Sequence, residues 1–252
     1  MTLKDKLSNN EVSIGSWITI GNTVVAEIMA KAGYDWLVVD LEHSSIDIQT
    51  ASELIRVIDL CHVSPLVRLT SNNPDQIKRV MDAGAHGIVV PMVNTREQAE
   101  LAVSATRYGP RGIRGVGLAR AQGYGAKFKE YLDWQHSQPI VIVQIEHKDA
   151  VSNLDEILAT PGVDGFIIGP YDLSCSLGIA GQFENLQFKN IKSKIKDAGN
   201  RSTVASGIHI VEPDQAALTK SIDEGYKFIA YGVDIRMLDT IARQGISKIQ
   251  KN

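Results

Sequence analysis

The stretch Ile140-Val-Ile-Val-Gln-Ile-Glu146 begins with four apolar, β-branched residues and ends with polar side chains. A strand that is apolar on both faces must be covered on both sides, which is typical of a parallel sheet packed between helices. Comparable short apolar runs occur at residues 13–20, 36–40, 65–68, 87–90, 165–168, 203–206 and 228–232. The sequence therefore predicts eight strands.

Segments with helical spacing follow these runs. They lie at residues 24–32, 49–60, 74–82, 95–106, 149–159, 188–198, 213–224 and 235–249. The resulting α/β pattern fits an open doubly wound sheet or a closed (β/α)8 TIM barrel. Eight βα units without a Pro/Ser-rich linker favour the barrel, as one domain spanning residues 1–252. The first strand is followed by Gly21-Asn-Thr23 and not by GxGxxG, so the dinucleotide-binding fingerprint is absent.

The composition argues against several classes of partner. The formal net charge is −3, from 26 basic and 29 acidic residues, which predicts neither nucleic acid nor an anionic membrane as a partner. No stretch approaches the roughly 18 apolar residues of a membrane helix. Cys61 and Cys175 lie far apart, so no disulfide framework is expected. We expect a cytoplasmic protein whose partners are small molecules and copies of itself.

A long glycine-rich insertion separates the fourth helix from the fifth strand. It contains Tyr108-Gly-Pro-Arg-Gly-Ile-Arg-Gly-Val-Gly117 and continues to Gly125. Connections of this length in a compact domain are usually functional or disordered. Arginines among the glycines favour an ordered lid or interface, and a plain surface excursion is the alternative.

Polar residues follow several of the predicted strands, at the barrel end where active sites lie. Gln144 and Glu146 share one face of the fifth strand, and Asp172 follows the sixth. Two converging carboxylates suit a hard divalent cation with oxygen ligands, with substrate and water completing its shell. The alternative is that both acids cap the next helices.

Three further side chains are candidates for the same site. Arg68 ends the third strand and could clamp a carboxylate or neutralise an oxyanion, or else pair with Asp40 or Glu42. His43 could act as a general base, or be merely solvated. Trp17 on the first strand could form an apolar wall beside the substrate, or pack in the core.

Several ordered motifs together resemble the HpcH/HpaI aldolases, the family of 4-hydroxy-2-oxoheptanedioate and 2-dehydro-3-deoxy-sugar-acid aldolases. The resemblance extends from Gly15 to Leu238. Its most specific pieces are Asp35-Trp-Leu-Val-Val-Asp-Leu-Glu-His43, Val89-Val-Pro-Met-Val93, Arg107-Tyr-Gly-Pro-Arg-Gly-Ile-Arg-Gly-Val-Gly117, Gln144-Ile-Glu146 and Gly165-Phe-Ile-Ile-Gly-Pro-Tyr-Asp-Leu-Ser174.

The resemblance implies a phosphoenolpyruvate/pyruvate-type barrel and a role for each site residue. Glu146 and Asp172 would bind Mg²⁺, or Mn²⁺ or Co²⁺, which pyruvate would chelate. Arg68 would face the carbonyl oxygen that becomes the enolate, with Gln144 beside it. His43 would be the base, oriented by Asp82.

The resemblance also implies an assembly. Family members are commonly homohexamers, with the last helix, about residues 235–250, packed on a neighbouring barrel. Tyr171 replaces a usual small residue and would contact the substrate, and the segment from Gly117 to Gly123 is shorter than in the diacid-cleaving enzyme. Both changes would fall near the aldehyde, whose identity the sequence leaves open.

These observations predict a carbon–carbon lyase that reversibly cleaves a 4-hydroxy-2-oxo acid to pyruvate and an aldehyde. The Schiff-base route is disfavoured because no lysine ends a strand: Lys148 opens a helix, and Lys227 precedes the eighth strand. The alternatives are a related enzyme that decarboxylates or condenses such an enolate, and a catalytically silent scaffold barrel.

Overall fold

The computed structural model describes residues 1–247 and contains a closed barrel of eight parallel strands in sequence order. The strands are β1 Ser13–Ile18, β2 Trp36–Asp40, β3 Ser64–Arg68, β4 Gly87–Val90, β5 Ile140–Ile145, β6 Gly165–Ile168, β7 Ala205–Ile210 and β8 Phe228–Val233. The predicted barrel is confirmed. Closure between β1 and β8 leaves no open sheet edge. Because all the strands are parallel, every residue that directly follows a strand lies at the same end of the barrel.

Helices surround the barrel. They are α1 Leu3–Ser8, α2 Thr23–Ala30, α3 Ile48–Leu60, α4 Pro74–Asp82, α5 Arg96–Thr106, α6 Phe128–Ser137, α7 Lys148–Ser152, α8 Leu154–Leu158, α9 Pro170–Ser176, α10 Leu186–Arg201, α11 Gln215–Asp223 and α12 Asp234–Ser247, with a 3₁₀ helix at Arg120–Gly125. Many of them begin at a residue whose side chain caps the first turn. The Asp47 carboxylate, for example, accepts a hydrogen bond from the backbone N–H of Thr50 at the start of α3. None of the helices described combines the length and the apolar character needed to cross a membrane.

The seventh strand differs most from its prediction. It covers Ala205–Ile210, whereas the apolar pattern predicted residues 203–206. The polar side chain of His209 interrupts the apolar run, which made the strand look shorter than it is. The last helix was predicted at residues 235–249 from its spacing and to about 250 from the family resemblance, and its positions beyond residue 247 lie outside the described range.

The amino-terminal end of the barrel is filled. Leu3 and Leu7 of α1 join the apolar cluster inside the barrel, and Trp36 stacks on Phe228 with ring centroids 4.0 Å apart. Each large side chain buried in this way stabilises the fold by about 1.5–3 kcal/mol. Gly15 makes room for the Trp36 ring, because a Cβ there would overlap the indole. The open end of the barrel is therefore the one at the carboxyl ends of the strands, and we call it the mouth.

The glycine-rich insertion is ordered and lies on the amino-terminal side of its own barrel. The Arg114 guanidinium is fully buried and donates to Asp82 (3.0 Å) and to the Tyr131 hydroxyl (2.8 Å). Arg120 pairs with Asp59. Asp59 and Asp82 stand at the ends of α3 and α4, just before the chain enters the next strands at their amino ends. The insertion therefore does not cover the mouth of the same chain.

Candidate active site

The carboxyl ends of the strands bring most of the predicted site residues to one mouth. β3 ends at Arg68, β5 carries Gln144 and is followed by Glu146, and the chain after β6 carries Asp172 in the first turn of α9. Arg68 acts electrostatically on Glu146, as does Asp172. The two carboxylates are thus close enough for their charges to interact.

Arg68 is held by two carboxylates. Its Nε donates to Asp40 Oδ1 (2.8 Å), its Nη2 to Asp40 Oδ2 (2.6 Å), and its Nη1 lies 3.3 Å from Glu42 Oε2. This two-pronged pairing fixes the plane of the guanidinium. The predicted salt bridge is present, and Arg68 nevertheless remains at the mouth with 15% of its side chain exposed.

Trp17 lies beneath this arginine. The Arg68 Cζ is 4.4 Å from the centre of the indole, a cation–π contact, and Trp17 is 2% exposed. The indole therefore supports the guanidinium from the barrel interior and offers little surface to a substrate.

Glu146 is buried, and two hydrogen bonds orient its carboxylate. Gln144 Nε2 donates to its Oε1 at 2.8 Å, and the backbone N–H of Met92 donates to its Oε2 at 3.0 Å. Met92 adopts a left-handed backbone with φ of 53°, which is unusual for a residue other than glycine. Gly169 leaves the space for the carboxylate, because a Cβ at that position would overlap Glu146 Oε1.

The mouth concentrates negative charge. The pKa of Glu146 is raised to about 7, chiefly by burial and also by the charges of Glu42 and Asp172, while the Met92 N–H and Arg68 act in the opposite direction. The pKa of Glu42 is also raised, first by burial and then by Asp40 and Asp172, against Arg68. The raised pKa values show that the fold disfavours the ionised form of these neighbouring carboxylates. A bound cation would stabilise that ionised form.

The donor set fits a hard cation. Glu146 and Asp172 offer oxygen ligands, and the buried Gln144 Oε1 has no hydrogen-bond partner. Within residues 1–247, no group of three or more His, Cys, Asp or Glu side chains is arranged to hold a metal. Ligands from substrate and water would therefore have to complete the shell of a bound cation.

His43 and Asp82 are not brought together within one chain. His43 is 66% exposed in the loop after β2, at the mouth, and its Nε2 lies 3.9 Å from Glu42 Oε2. Asp82 ends α4 on the opposite side of the barrel and pairs with Arg114. A pairing of these two residues would need a second copy of the chain.

Tyr171 stands beside Asp172 at the start of α9. It is 58% exposed, and its ring meets that of Phe183 edge-on at 5.0 Å. Its hydroxyl is thus available at the rim of the mouth.

Comparison with known proteins settles the family. Residues 13–239 match the family model described as HpcH/HpaI aldolase/citrate lyase. The chain belongs to this family. Membership makes it a carbon–carbon lyase, as the sequence predicted.

The relatives of this HpcH/HpaI family member extend over nearly its whole length. A hydroxypyruvate/pyruvate aldolase from Roseovarius nubinhibens is 38% identical over 98% of this chain and 96% of its own. A 4-hydroxy-2-oxo-heptane-1,7-dioate aldolase from Salmonella typhimurium is 39% identical over 93% of this chain and 89% of its own. The crystal structure of a family protein from Burkholderia cenocepacia shares 34% identity, covers 98% of both chains and superposes with a TM-score of 0.92.

Sequence reasoning missed several residues at the mouth of this HpcH/HpaI barrel. Met92 contributes a backbone N–H, which no side-chain pattern can signal. Glu42 was considered only as a partner of Arg68. His209 was missed because the seventh strand was ended too early; its position two residues beyond Gly207 would have placed it on the inner face.

Proposed function

We propose that this family member catalyses the reversible, divalent-metal-dependent cleavage of a 4-hydroxy-2-oxo acid to pyruvate and an aldehyde. The observation that carries the proposal is that Arg68, Glu146 and Asp172 all follow strands that end at one barrel mouth, within range of one another's charge. The relatives named for aldol reactions of 2-oxo acids support it.

Glu146 and Asp172 would hold Mg²⁺, or Mn²⁺ or Co²⁺, through carboxylate oxygens. When bound, the ion acts as a Lewis acid toward the oxygens of the 2-oxo acid. Gln144 and the Met92 N–H orient Glu146, and Gly169 leaves it the necessary room.

Arg68 would bind the 2-oxo oxygen of the substrate. As the C3–C4 bond breaks, its electron pair forms the C2–C3 double bond of the enolate, and negative charge develops on that oxygen. Donors aimed at such an oxyanion are worth about 2.7–4 kcal/mol each. Asp40 and Trp17 hold the guanidinium in place before the charge appears.

A base must take the proton of the C4 hydroxyl, so that this carbon leaves as an aldehyde. His43 is our candidate, because it is exposed at the mouth and a neutral imidazole has a lone pair that can accept this proton. Protonation of the enolate at C3 then yields pyruvate.

We further propose that the chain works as an oligomer, with a homohexamer as the form that the family resemblance implies. His43 and Asp82 lie at opposite ends of the barrel within one chain. A contact between them therefore needs two copies of the chain. The outer face of α12 exposes Leu238 (64%) and Ile241 (68%), which a neighbouring barrel would cover.

The test is pyruvate release from a synthetic 4-hydroxy-2-oxo acid, together with exchange of the pyruvate methyl protons in D₂O. We expect both to stop in EDTA and to return with added Mg²⁺, Mn²⁺ or Co²⁺. Undiminished turnover in chelator would contradict the metal-dependent mechanism. Oxaloacetate decarboxylation without aldol cleavage would instead favour the related decarboxylase activity.

A further inference from the structure

His209 is a large polar side chain inside the barrel that the proposed mechanism does not use. On β7, Ala205, Gly207 and His209 alternate on the inner face, and Ala205 belongs to the interior apolar cluster. The two residues beneath His209 are therefore small, and the imidazole is the bulky group that this strand presents toward the mouth. Its ring centroid lies 5.4 Å from that of Trp17.

The hydrogen bonding of His209 determines which ring nitrogen carries the proton. Nε2 lies 3.2 Å from the backbone carbonyl oxygen of Gly232. A carbonyl oxygen can only accept, so Nε2 must donate, and in the neutral ring Nδ1 then carries a lone pair. Within residues 1–247, no protein group hydrogen-bonds to Nδ1.

Gly232 suits this arrangement. Its φ is 68°, a left-handed backbone conformation that glycine adopts without strain. The same carbonyl also accepts from the Ser16 hydroxyl at 3.3 Å, so its direction is fixed from two sides. The imidazole is thus anchored through Nε2, with Nδ1 left as a free acceptor.

The ring stays neutral in the folded protein. The pKa of His209 is lowered to about 4, chiefly by burial and also by the charge of Arg68, while the Gly232 carbonyl and Asp40 oppose the shift. A proton on Nδ1 would place a second positive charge next to the guanidinium. At neutral pH the group accepts hydrogen bonds and attracts no carboxylate.

Arg68 and His209 flank the same indole. The guanidinium carbon is 4.4 Å, and the imidazole centroid 5.4 Å, from the ring of Trp17. The two groups thus contact the same side chain, and the charge of Arg68 acts on His209. Glu146 and Asp172 occupy the β5–β6 side of the mouth, which leaves the side of β7 and β1 for the rest of the substrate.

We infer that His209 selects the aldehyde: its Nδ1 accepts a hydrogen bond from a hydroxyl group on that half of the substrate. The preferred aldehyde then carries a hydroxyl near its carbonyl, in place of an alkyl chain or a terminal carboxylate. This inference rests on the proposed aldol function and names the substrate class for it.

The experiment compares two aldehydes with the same number of non-hydrogen atoms, glycolaldehyde and propanal, in condensation with pyruvate. Rates are referred to the unhydrated aldehyde. We expect kcat/KM for glycolaldehyde to exceed that for propanal by about tenfold, the scale of one hydrogen bond to a neutral partner. We expect kcat/KM for 4-oxobutanoate to be lower than that for glycolaldehyde, because its carboxylate would face the lone pair on His209 Nδ1 and cannot donate a hydrogen bond to it.

Two variants of His209 separate recognition from packing. His209→Phe keeps a ring without an acceptor and should reduce the preference to near unity by lowering kcat/KM for glycolaldehyde alone. His209→Asn keeps an acceptor near the position of Nδ1 and should retain most of the preference. Equal effects of His209→Phe on both aldehydes, or a wild-type preference for propanal or 4-oxobutanoate, would overturn the inference.

Exchange of the pyruvate methyl protons needs no aldehyde and is measured on every variant. Exchange should persist in both His209 variants, which also shows that they fold. Exchange without an aldehyde preference would overturn this inference alone. Loss of exchange in the wild type with Mg²⁺ present would overturn the proposed function and this inference with it.

Discussion

Asp40 accepts two hydrogen bonds from Arg68, at 2.8 Å from Nε and 2.6 Å from Nη2, while only 1% of Asp40 is exposed. The backbone N–H of Glu42 also donates to Asp40 Oδ1, at 3.0 Å. One buried carboxylate therefore fixes both the arginine at the end of β3 and the loop after β2. The position of the guanidinium is set before any substrate arrives.

Replacing Arg68 by lysine should lower kcat/KM by about 10²–10³-fold, because a lysine cannot form the two-pronged contact with Asp40 or present the same donors to an oxyanion. Steady-state cleavage kinetics provide the measurement. Arg96→Lys is the matched control, since Arg96 pairs with Glu100 on an exposed helix face. Equal rates for the two variants would contradict a role for Arg68 in the reaction.

If Glu146 is a metal ligand as proposed, Glu146→Gln should abolish high-affinity binding of a divalent cation, since it removes the charge of this buried carboxylate. Isothermal titration with Mn²⁺ in the absence of substrate would measure it. Glu100→Gln changes an exposed carboxylate in the same way and should leave the titration unchanged. Retained Mn²⁺ affinity in Glu146→Gln would place the metal elsewhere.

Gly169→Ala should weaken the same binding without changing any charge, because the added methyl group would displace the Glu146 carboxylate. We expect a loss of about tenfold or more in Mn²⁺ affinity, within the range seen when residues that orient metal ligands are changed. Gly115→Ala is the control, since a Cβ at that position meets nothing within 4 Å. An unchanged affinity in Gly169→Ala would show that the carboxylate can move at no cost.

The neutral state of His209 predicts a loss of stability in acid. Its pKa is about 4 in the folded protein, against about 6.5 in the unfolded chain, so the unfolded state binds the extra proton first. The unfolding free energy is unaffected by this histidine above pH 6.5. It falls progressively as the pH falls toward 4, by at most about 3 kcal/mol.

Urea unfolding at fixed protein concentration, at pH 7.5 and pH 5, would measure this contribution. We expect His209→Asn to have a smaller loss of unfolding free energy between the two pH values than the wild type, because asparagine does not titrate. Identical losses would mean that His209 can be protonated within the fold.

Mixing two impaired variants tests whether His43 of one subunit lies next to Asp82 of another. We expect His43→Ala and Asp82→Asn each to be impaired, and co-assembled mixtures to recover activity well above the sum of the separate samples. Recovery arises because some sites then combine an intact His43 with an intact Asp82 from another copy. Mixed oligomers without recovery would exclude the shared pair. Unfolding curves must accompany the assay, because Asp82 also pairs with the buried Arg114.

The sequence by itself determined the barrel and most of the candidate site. Eight apolar runs with intervening helices require a covered parallel sheet, and closure puts every strand end at the same mouth. Arg68, Gln144 and Glu146 could be predicted there because their places on or just after a strand also give their direction. These are local properties of the chain.

Only the tertiary structure decided what meets across the barrel. The N–H of Met92 reaches Glu146, Trp17 supports Arg68, and His209 is anchored by Gly232, a residue on the neighbouring strand. Asp82 likewise proved to lie at the opposite end from His43. Such contacts depend on strand register and barrel curvature, which are set by the packing of the whole sheet and leave no periodic mark in the residues that make them.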